Sequence, residues 1–281
     1  MVSRCPCPVL QLLSILSQRR YFHRTPTATG VSSTSYRGGS RKGMDLTFGS
    51  PVTSLSGSLP EVDSNSTRGG ILLRTLRRIK DQRVVSGPSR LVDEILAQSG
   101  AQSISDLVQS KWKEDTFAFT STVRSSRPSL RIIPRKGPSV PIDPFRCPRI
   151  GLDLSHRSTT NSPLDPRVVF VCKPYRYIVC PELLTFNGRP QTFIGVYDHF
   201  SAGTEGDTAK LAKAIVSATG IKAQTVLKYI ESLSLGLEGK RALSRFIRTK
   251  TRSVDDYLVM VGVLRQQSSS VIAVESGSEA E

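Results

Sequence analysis

The sequence predicts an α+β fold: a mixed domain with a curved antiparallel sheet flanked by short helices, followed by a basic helical appendage. Apolar runs rich in β-branched and aromatic residues occur in the first two thirds of the chain and are typical of strands. Segments with helical spacing and clear end signals lie between these runs. From Thr208 onward the apolar period becomes helical, and no regular βαβ alternation precedes it.

The strand predictions rest on residue type. The run GGILLRTLRRI is compact and apolar and ends in cations, and RVVFVCKPYRYIVC is rich in β-branched and aromatic residues. Tyr175 and Tyr177 alternate with Arg176, so both tyrosines should share one face; we expect a core face, with a base-stacking platform as the alternative. Strands are predicted at 69–79, 148–154, 167–180 and 191–200.

The helix predictions rest on end signals. In 86–100, Pro88 suits the first turn and Gly100 supplies a stop. The pattern Ser103-x-x-Asp106 is a capping box that opens a second short helix over 103–112. Residues 208–233 predict two helices joined at Thr219-Gly220-Ile221, a helix-turn-helix-like unit, and 239–252 predicts a basic amphipathic helix.

Composition divides the chain further. Residues 1–44 contain no Asp or Glu and are rich in Arg, Ser and Thr, so 1–30 is interpreted as a disordered or presequence-like leader. The α+β domain is expected at 31–200. Flexible insertions are predicted at 51–69, which is rich in Ser, Pro and Gly, and at 124–146, which is rich in Pro and cations. The basic helical tail is expected at 205–253 and disorder at 265–281.

Charge is the strongest functional indication. The chain has 39 Lys and Arg against 23 Asp and Glu, a formal net charge of +16, which favours nucleic acid as the partner. The five cysteines lack metal-ligand spacing and are expected to be free thiols, so we predict no metal and no cofactor. No apolar run reaches the ~20 residues that a membrane-spanning helix needs.

The stretch SYRGGSRKGMDLTFG, residues 35–49, combines glycines, cations and the first acidic residue of the chain. It lacks the spacing and the Ser or Thr of a phosphate-binding P-loop. Asp45 is a candidate general base, since it is the only acid of this predicted strand and a carboxylate within hydrogen-bond reach of a water can take its proton. The alternative is a structural Asp45 paired with Arg41 or capping a turn.

Four segments in order resemble the alkyladenine (3-methyladenine) DNA glycosylase family. They are ILLRTL, GPSRLVDEIL, PRIGL and VFVCKPYRY, and RKGMDLTFG falls where that family has a Y-G-M strand. The likeness covers roughly residues 35–180. The sequence departs from the family in three respects: Lys42 replaces the intercalating Tyr, Gly49 stands where the family has an Asn, and no Glu precedes Glu61, although the family's catalytic Glu lies in a segment before the Y-G-M strand. Either the N-terminus is shortened or replaced, or another carboxylate does the work, or the chain is not a competent glycosylase.

The resemblance implies a glycosylase-like domain over 31–200. The expected activity is base-excision repair: the enzyme flips a damaged, alkylated purine out of duplex DNA and hydrolyses its N-glycosidic bond without metal. Asp45 would be catalytic. The expected DNA-binding residues are Arg37, Arg41, Lys42, Arg74, Arg149 and Arg176, together with Lys222 and Lys228 of the basic helical tail, which lies beyond the resemblance.

Two other interpretations remain open at this point. One is a catalytically inactive nucleic-acid-binding protein of the same fold, and the other is a mitochondrial RNA-binding protein. The expected partner is damaged double-stranded DNA, with RNA as the alternative, and the expected oligomeric state is a monomer. The expected compartment is the nucleus or the mitochondrion.

Overall fold

The computed structural model describes residues 19–24, 42–48, 69–116, 118, 130, 143–184, 188–204 and 206–277. It contains both helices and small antiparallel sheets, which confirms the α+β class. The chain divides into two compact units, Met1–Pro138 and Ser139–Glu281. The glycosylase-like domain predicted at 31–200 spans both units and stays a prediction.

The described residues of the first unit form two antiparallel sheets and one regular helix. Strands β1, β2 and β3 form a three-stranded sheet in chain order, and β4 pairs with β5. The bounds are β1 Arg19–Arg24, β2 Lys42–Phe48, β3 Gly69–Leu73, β4 Thr75–Arg77, β5 Val84–Ser86 and α1 Pro88–Gln98, followed by a π-helical segment Asp106–Lys111.

The predicted end signals of this unit are confirmed. Pro88 opens α1, and its neighbour Gly87 donates from its backbone N–H to the carbonyl of Arg74 at 2.8 Å. In the capping box, the backbone N–H of Asp106 donates to Ser103 Oγ at 3.0 Å, and the Asp106 carboxylate accepts from the backbone N–H of Gln102 at 2.9 Å. Side chains of β2, α1 and the π-helical segment pack together in a small hydrophobic core, which contains Met44, Leu91, Val92, Ile95, Leu107 and Trp112.

The second unit, over its described residues, is mainly helical, with one two-stranded antiparallel sheet made by β6 and β7. Its elements are β6 Phe145–Cys147, α2 Pro166–Val171, β7 Arg176–Ile178, α3 Arg189–Ser201, α4 Thr208–Thr219, α5 Ala223–Leu237 and α6 Val254–Gly277, with short 3-10 turns at Pro181–Leu183 and Leu243–Arg245. The predicted helix pair of the tail is confirmed as α4 and α5. Gly220 ends α4 with a φ of +66°, a left-handed conformation that glycine adopts without strain.

The core of the second unit lies between α3, α4, α5 and α6. Its completely buried members include Phe193, Ile215, Leu233 and Leu258. The helices α5 and α6 cross where Gly236 meets Gly262, and a Cβ on Gly236 would lie 2.8 Å from the Cα of Gly262. Because neither residue has a side chain, the two helix backbones approach closely at this point.

Several predicted elements are wrong. Residues 191–200 belong to helix α3, and six consecutive residues of this helix, 191–196, are buried, so it lacks the amphipathic period that sequence reasoning relies on. Residues 148–154 form turns rather than a strand, and the predicted strand at 167–180 divides into α2 and the short β7. The predicted helix at 239–252 is a single 3-10 turn within irregular backbone.

The remaining predictions concern the chain ends and the insertions. The described strands form three small sheets, where one curved sheet was expected. The segments predicted as insertions, 51–69 and 124–146, lie almost wholly outside the described residues, as does most of the leader 1–30. Helix α6 continues to Gly277, through residues for which the sequence predicted disorder. Among the described helices, none combines the length and apolar composition needed to cross a membrane.

Candidate nucleic-acid interface

Lys42 stands where the glycosylase family that the sequence resembles has its intercalating residue. It is bound to helix α1 by an ion pair and by hydrogen bonds. Its ammonium group forms an ion pair with Asp93. Its backbone N–H donates to Ser89 Oγ at 3.3 Å, and that hydroxyl donates to the carbonyl of Lys42 at 3.1 Å. The side chain of Lys42 is 18 % exposed. Its charge is therefore compensated within the first unit.

Asp45 lies on the other face of the same strand. Successive strand residues point to opposite faces, so Lys42 and the buried Met44 share one face and Asp45 lies on the opposite one. Asp45 is half-buried and pairs in register with Leu72 of β3. Arg74, just beyond the end of β3, is also half-buried, and both residues interact with other groups. The structure thus separates Lys42 from Asp45, which the sequence had placed in one site.

The other predicted DNA-binding residues differ in how exposed they are. Arg149 is exposed, whereas Arg176 is buried, with only 9 % exposure, and its Nη1 donates to Thr192 Oγ1 of α3 at 3.0 Å. Arg176 therefore lies in the interior of the second unit, and its role as a DNA contact stays a prediction. Arg37 and Arg41 lie outside the described residues.

The prediction that the two tyrosines face the core is wrong. Tyr175, just before β7, and Tyr177, within β7, are both exposed, to 55 % and 61 % of their surface. The buried face of β7 carries Arg176 and Ile178 instead. A charged residue can occupy this inner position because Thr192 provides a hydrogen-bond acceptor, a partner that the local sequence does not reveal.

The strongest concentration of charge lies between α5 and α6. Residues 240–252, the basic segment, contain six cations and no acid: Lys240, Arg241, Arg245, Arg248, Lys250 and Arg252. Leu243 and Phe246 anchor this segment in the core, with 4 % and 6 % exposure. The backbone N–H of Arg248 donates to the carbonyl of Leu154 at 2.8 Å, and its Nε donates to the carbonyl of Thr159 at 3.2 Å. These contacts fix the segment on the surface of the unit.

Five cations of the basic segment are exposed, and for three of them neither an ion pair nor a side-chain hydrogen bond is found within the described part of the chain: Arg245, Lys250 and Arg252. Lys240, in contrast, pairs with Glu238 at 2.9 Å. A fixed cluster of uncompensated guanidinium and ammonium groups is suited to phosphate oxygens. The sequence located this charge correctly, but it predicted a helix where the backbone is irregular.

Helix α5 presents the remaining predicted contacts. Lys222, at its N-terminus, is exposed. Lys228 forms an ion pair with Asp255 of α6, with 2.8 Å between Nζ and Oδ2, and this hydrogen bond raises the pKa of Lys228. Ser232 Oγ also donates to Asp255 at 3.2 Å. Lys228 therefore contributes to helix packing as well as to surface charge.

Arg146 is a surface cation that sequence reasoning missed. It is exposed on β6 and lies directly across the sheet from Tyr177. Only the strand register brings the two residues together, and nothing in the local sequence indicates it. Cys147, Cys172 and Cys180 are free thiols, as predicted. Among the residues that the structure describes, no three His, Cys, Asp or Glu side chains are grouped so that they could hold a metal ion.

Comparison with known proteins gives limited information. No protein-family model matches the chain, and no solved structure matches it. One similar sequence is an uncharacterized protein, L759, of Acanthamoeba polyphaga mimivirus, which is 33 % identical over 93 residues. The match covers 33 % of this chain and 40 % of the viral protein, so the chain spans less than half the length of that relative.

Proposed function

We propose that this protein binds double-stranded DNA through the basic segment 240–252. The observation that carries the proposal is the set of exposed cations Arg245, Lys250 and Arg252, for which the described chain provides no ion-pair partner. Phosphate contacts of this kind provide affinity and orientation but little sequence information. Lys222, exposed at the start of α5, and the helix-turn-helix-like pair α4 and α5 supply a further surface for the duplex.

The binding test compares two variants that lose the same charge. R245Q/K250Q/R252Q removes these three exposed cations of the basic segment, and R77Q/K80Q/R83Q removes three exposed cations of the first unit. Affinity for a labelled random-sequence duplex is measured by fluorescence anisotropy as a function of salt. We expect the first variant to reduce the salt slope by about 2.7, since each phosphate contact contributes about 0.9.

The control triple variant should keep most of the slope. Equal losses in the two variants would show that only net charge matters and would contradict a defined DNA surface. Tighter binding to structured RNA than to the duplex would instead favour the RNA-binding interpretation, which the basic, acid-free N-terminal composition also suits.

A second candidate function is hydrolysis of the N-glycosidic bond of an alkylated purine, as the glycosylase resemblance implies. It is favoured by the half-buried position of Asp45 in β2, because partial burial is the environment in which a carboxylate becomes an effective general base. Asp45 would take a proton from the attacking water after the damaged base has been flipped out of the duplex. Such a repair enzyme would act in the nucleus or the mitochondrion.

The catalytic test is release of free modified purine from an alkylated duplex by the purified protein. We expect D45N to abolish release and D93N, a surface carboxylate variant of the same unit, to retain it. Duplex binding without any release by the wild-type protein would favour the catalytically inactive binding protein. Release that persists in D45N would remove Asp45 from the catalytic role.

A further inference from the structure

The second unit displays aromatic rings to solvent in and beside its small sheet: Phe170 lies in α2, Tyr175 just before β7 and Tyr177 within β7. Phe170, Tyr175 and Tyr177 are 44 %, 55 % and 61 % exposed. The ring centroids of Phe170 and Tyr175 are 6.1 Å apart and their planes are inclined by 42°. Arg146 lies beside Tyr177 on the neighbouring strand. We call these four residues the aromatic face.

The aromatic face has a rigid support. On the inner side of the same two strands, Cys147 and Arg176 are buried and Arg176 donates to Thr192 of α3. The approach to α3 is close, because a Cβ on Gly195 would lie 2.7 Å from the carbonyl oxygen of Arg146. Strand β7 therefore cannot turn Tyr177 inward without breaking the packing of the two strands against α3, and this ring stays on the outside.

The aromatic face carries the positive charge of Arg146, and a second cation, Lys173, lies two residues before Tyr175. Arg146 and Lys173 are exposed, and neither forms an ion pair within the described residues. No Asp or Glu occurs from 166 to 181. The nearest preceding acid, Asp165, is occupied as the N-cap of α2, where it accepts from Thr160 and Arg167. Aromatic rings alternating with cations suit a partner that has flat π-systems and negative charge.

The exposure of the rings indicates the form of that partner. Successive bases of a duplex strand are about 3.4 Å apart and hidden in the stack, so they cannot lie on exposed rings, whereas unpaired bases can. We infer that the aromatic face binds unpaired bases of single-stranded nucleic acid by stacking on Tyr175 and Tyr177, with Arg146 and Lys173 contacting the phosphates. The inference rests on the proposed function for the class of partner, and it concerns a different surface from the basic segment.

The experiment separates stacking from simple apolar contact. Y175L/Y177L keeps apolar area and removes the π-faces, whereas Y175F/Y177F keeps the rings and removes only the hydroxyl groups. Affinity is measured by anisotropy with a labelled oligothymidylate of about 15 nucleotides, which exceeds most single-domain site sizes. We expect the leucine pair to weaken binding about tenfold or more and the phenylalanine pair to bind like the wild type.

Two controls make the result specific. L237S changes an exposed apolar residue on α5 and should leave oligothymidylate affinity unchanged. Thermal denaturation of each variant confirms that the fold is retained.

R146Q should reduce the salt slope for the oligothymidylate by about 0.7, the value for one phosphate contact of a single strand.

The outcomes distinguish this inference from the proposed function. If Y175L/Y177L binds the oligothymidylate like the wild type, stacking is overturned. If the wild type binds duplex but not the oligothymidylate, the inference is overturned and the proposed function stands. Loss of oligothymidylate binding in R245Q/K250Q/R252Q, with none in Y175L/Y177L, would assign the single strand to the basic segment instead. Failure to bind either nucleic acid would overturn both.

Discussion

Lys42 and Asp93 join the first residue of strand β2 to the middle of helix α1 by an ion pair. The hydrogen bonds between Ser89 and the backbone of Lys42 reinforce this connection. In the glycosylase resemblance, Lys42 stands where a side chain would insert into DNA. In this protein it has a structural partner instead, and an inserting side chain would have to leave Asp93 first.

K42A should accordingly affect stability slightly and DNA binding hardly at all. Asp93 is 55 % exposed, so the ion pair should contribute about 0.2–1 kcal/mol to the free energy of unfolding. Urea denaturation of K42A, D93A and the double variant gives the coupling energy. A duplex affinity of K42A reduced as strongly as that of the basic-segment variant would contradict the structural role.

G236A and G262A should each destabilise the second unit. A Cβ on Gly262 would lie 2.8 Å from the Cα of Gly236, so helices α5 and α6 would have to separate. Overpacking of this kind costs about 1–3 kcal/mol and occasionally more. Thermal denaturation measures the loss, with G203A as the control.

The control is matched because Gly203 has space around it. The nearest atom to a Cβ there is the carbonyl oxygen of Phe200, at 3.9 Å. G203A should therefore change the unfolding free energy by no more than about 0.5 kcal/mol. Wild-type stability in both crossing variants would show that α5 and α6 are not in close contact.

R176A should reduce stability without a specific effect on DNA binding. It removes a buried guanidinium group and leaves Thr192, which is 5 % exposed, without this donor. An uncompensated buried polar group costs about 1–3 kcal/mol, which chemical denaturation detects. If R176A were as stable as the wild type but had lost duplex affinity, Arg176 would be a DNA contact after all.

The stability contributed by Asp165 should decrease in acid. Hydrogen bonds from the backbone of Thr160 and of Arg167 to its carboxylate lower the pKa of Asp165. A carboxylate whose pKa is lower in the folded state stabilises the fold above its ordinary pKa, and this contribution is lost as the pH falls through the folded value. Wild type should therefore melt at a higher temperature than D165A near neutral pH, and the difference should shrink below about pH 4.

E182A is the control for the acid dependence of Asp165. Glu182 is an exposed carboxylate in the same unit, and no hydrogen bond or ion pair is found for its side chain among the described residues. Its melting temperature should follow that of the wild type at every pH. A difference between wild type and D165A that stays constant down to strong acid would rule out the carboxylate hydrogen bonds as its source.

The sequence predicted those elements whose ends carry a local signal. Pro88 and the pair Ser103 and Asp106 marked helix starts, and Gly220 marked a helix end. Helix α3 was missed because its residues 191–196 are all buried, and a helix surrounded by protein has no polar face to set a period. Its Pro190 in the first turn was the remaining signal.

The sequence predicted where the positive charge of the candidate site lies, but not which side chains contact one another. Net charge and the cluster at 240–252 can be counted from the sequence, and the structure confirms that this cluster is mostly exposed. The inward direction of Arg176 depends on Thr192, sixteen positions away along the chain. The pairing of Arg146 with Tyr177 depends on strand register. Neither long-range partner is encoded in a local pattern.

Cys147 gives the second unit a built-in probe of its own opening. Its thiol is completely buried against Gly195 of α3, and this burial raises the pKa of Cys147 to about 11. The thiolate that reacts with alkylating reagents is therefore scarce and inaccessible while the sheet rests on the helix. The rate at which such a reagent modifies this cysteine reports how often the sheet detaches from α3, without any engineered label.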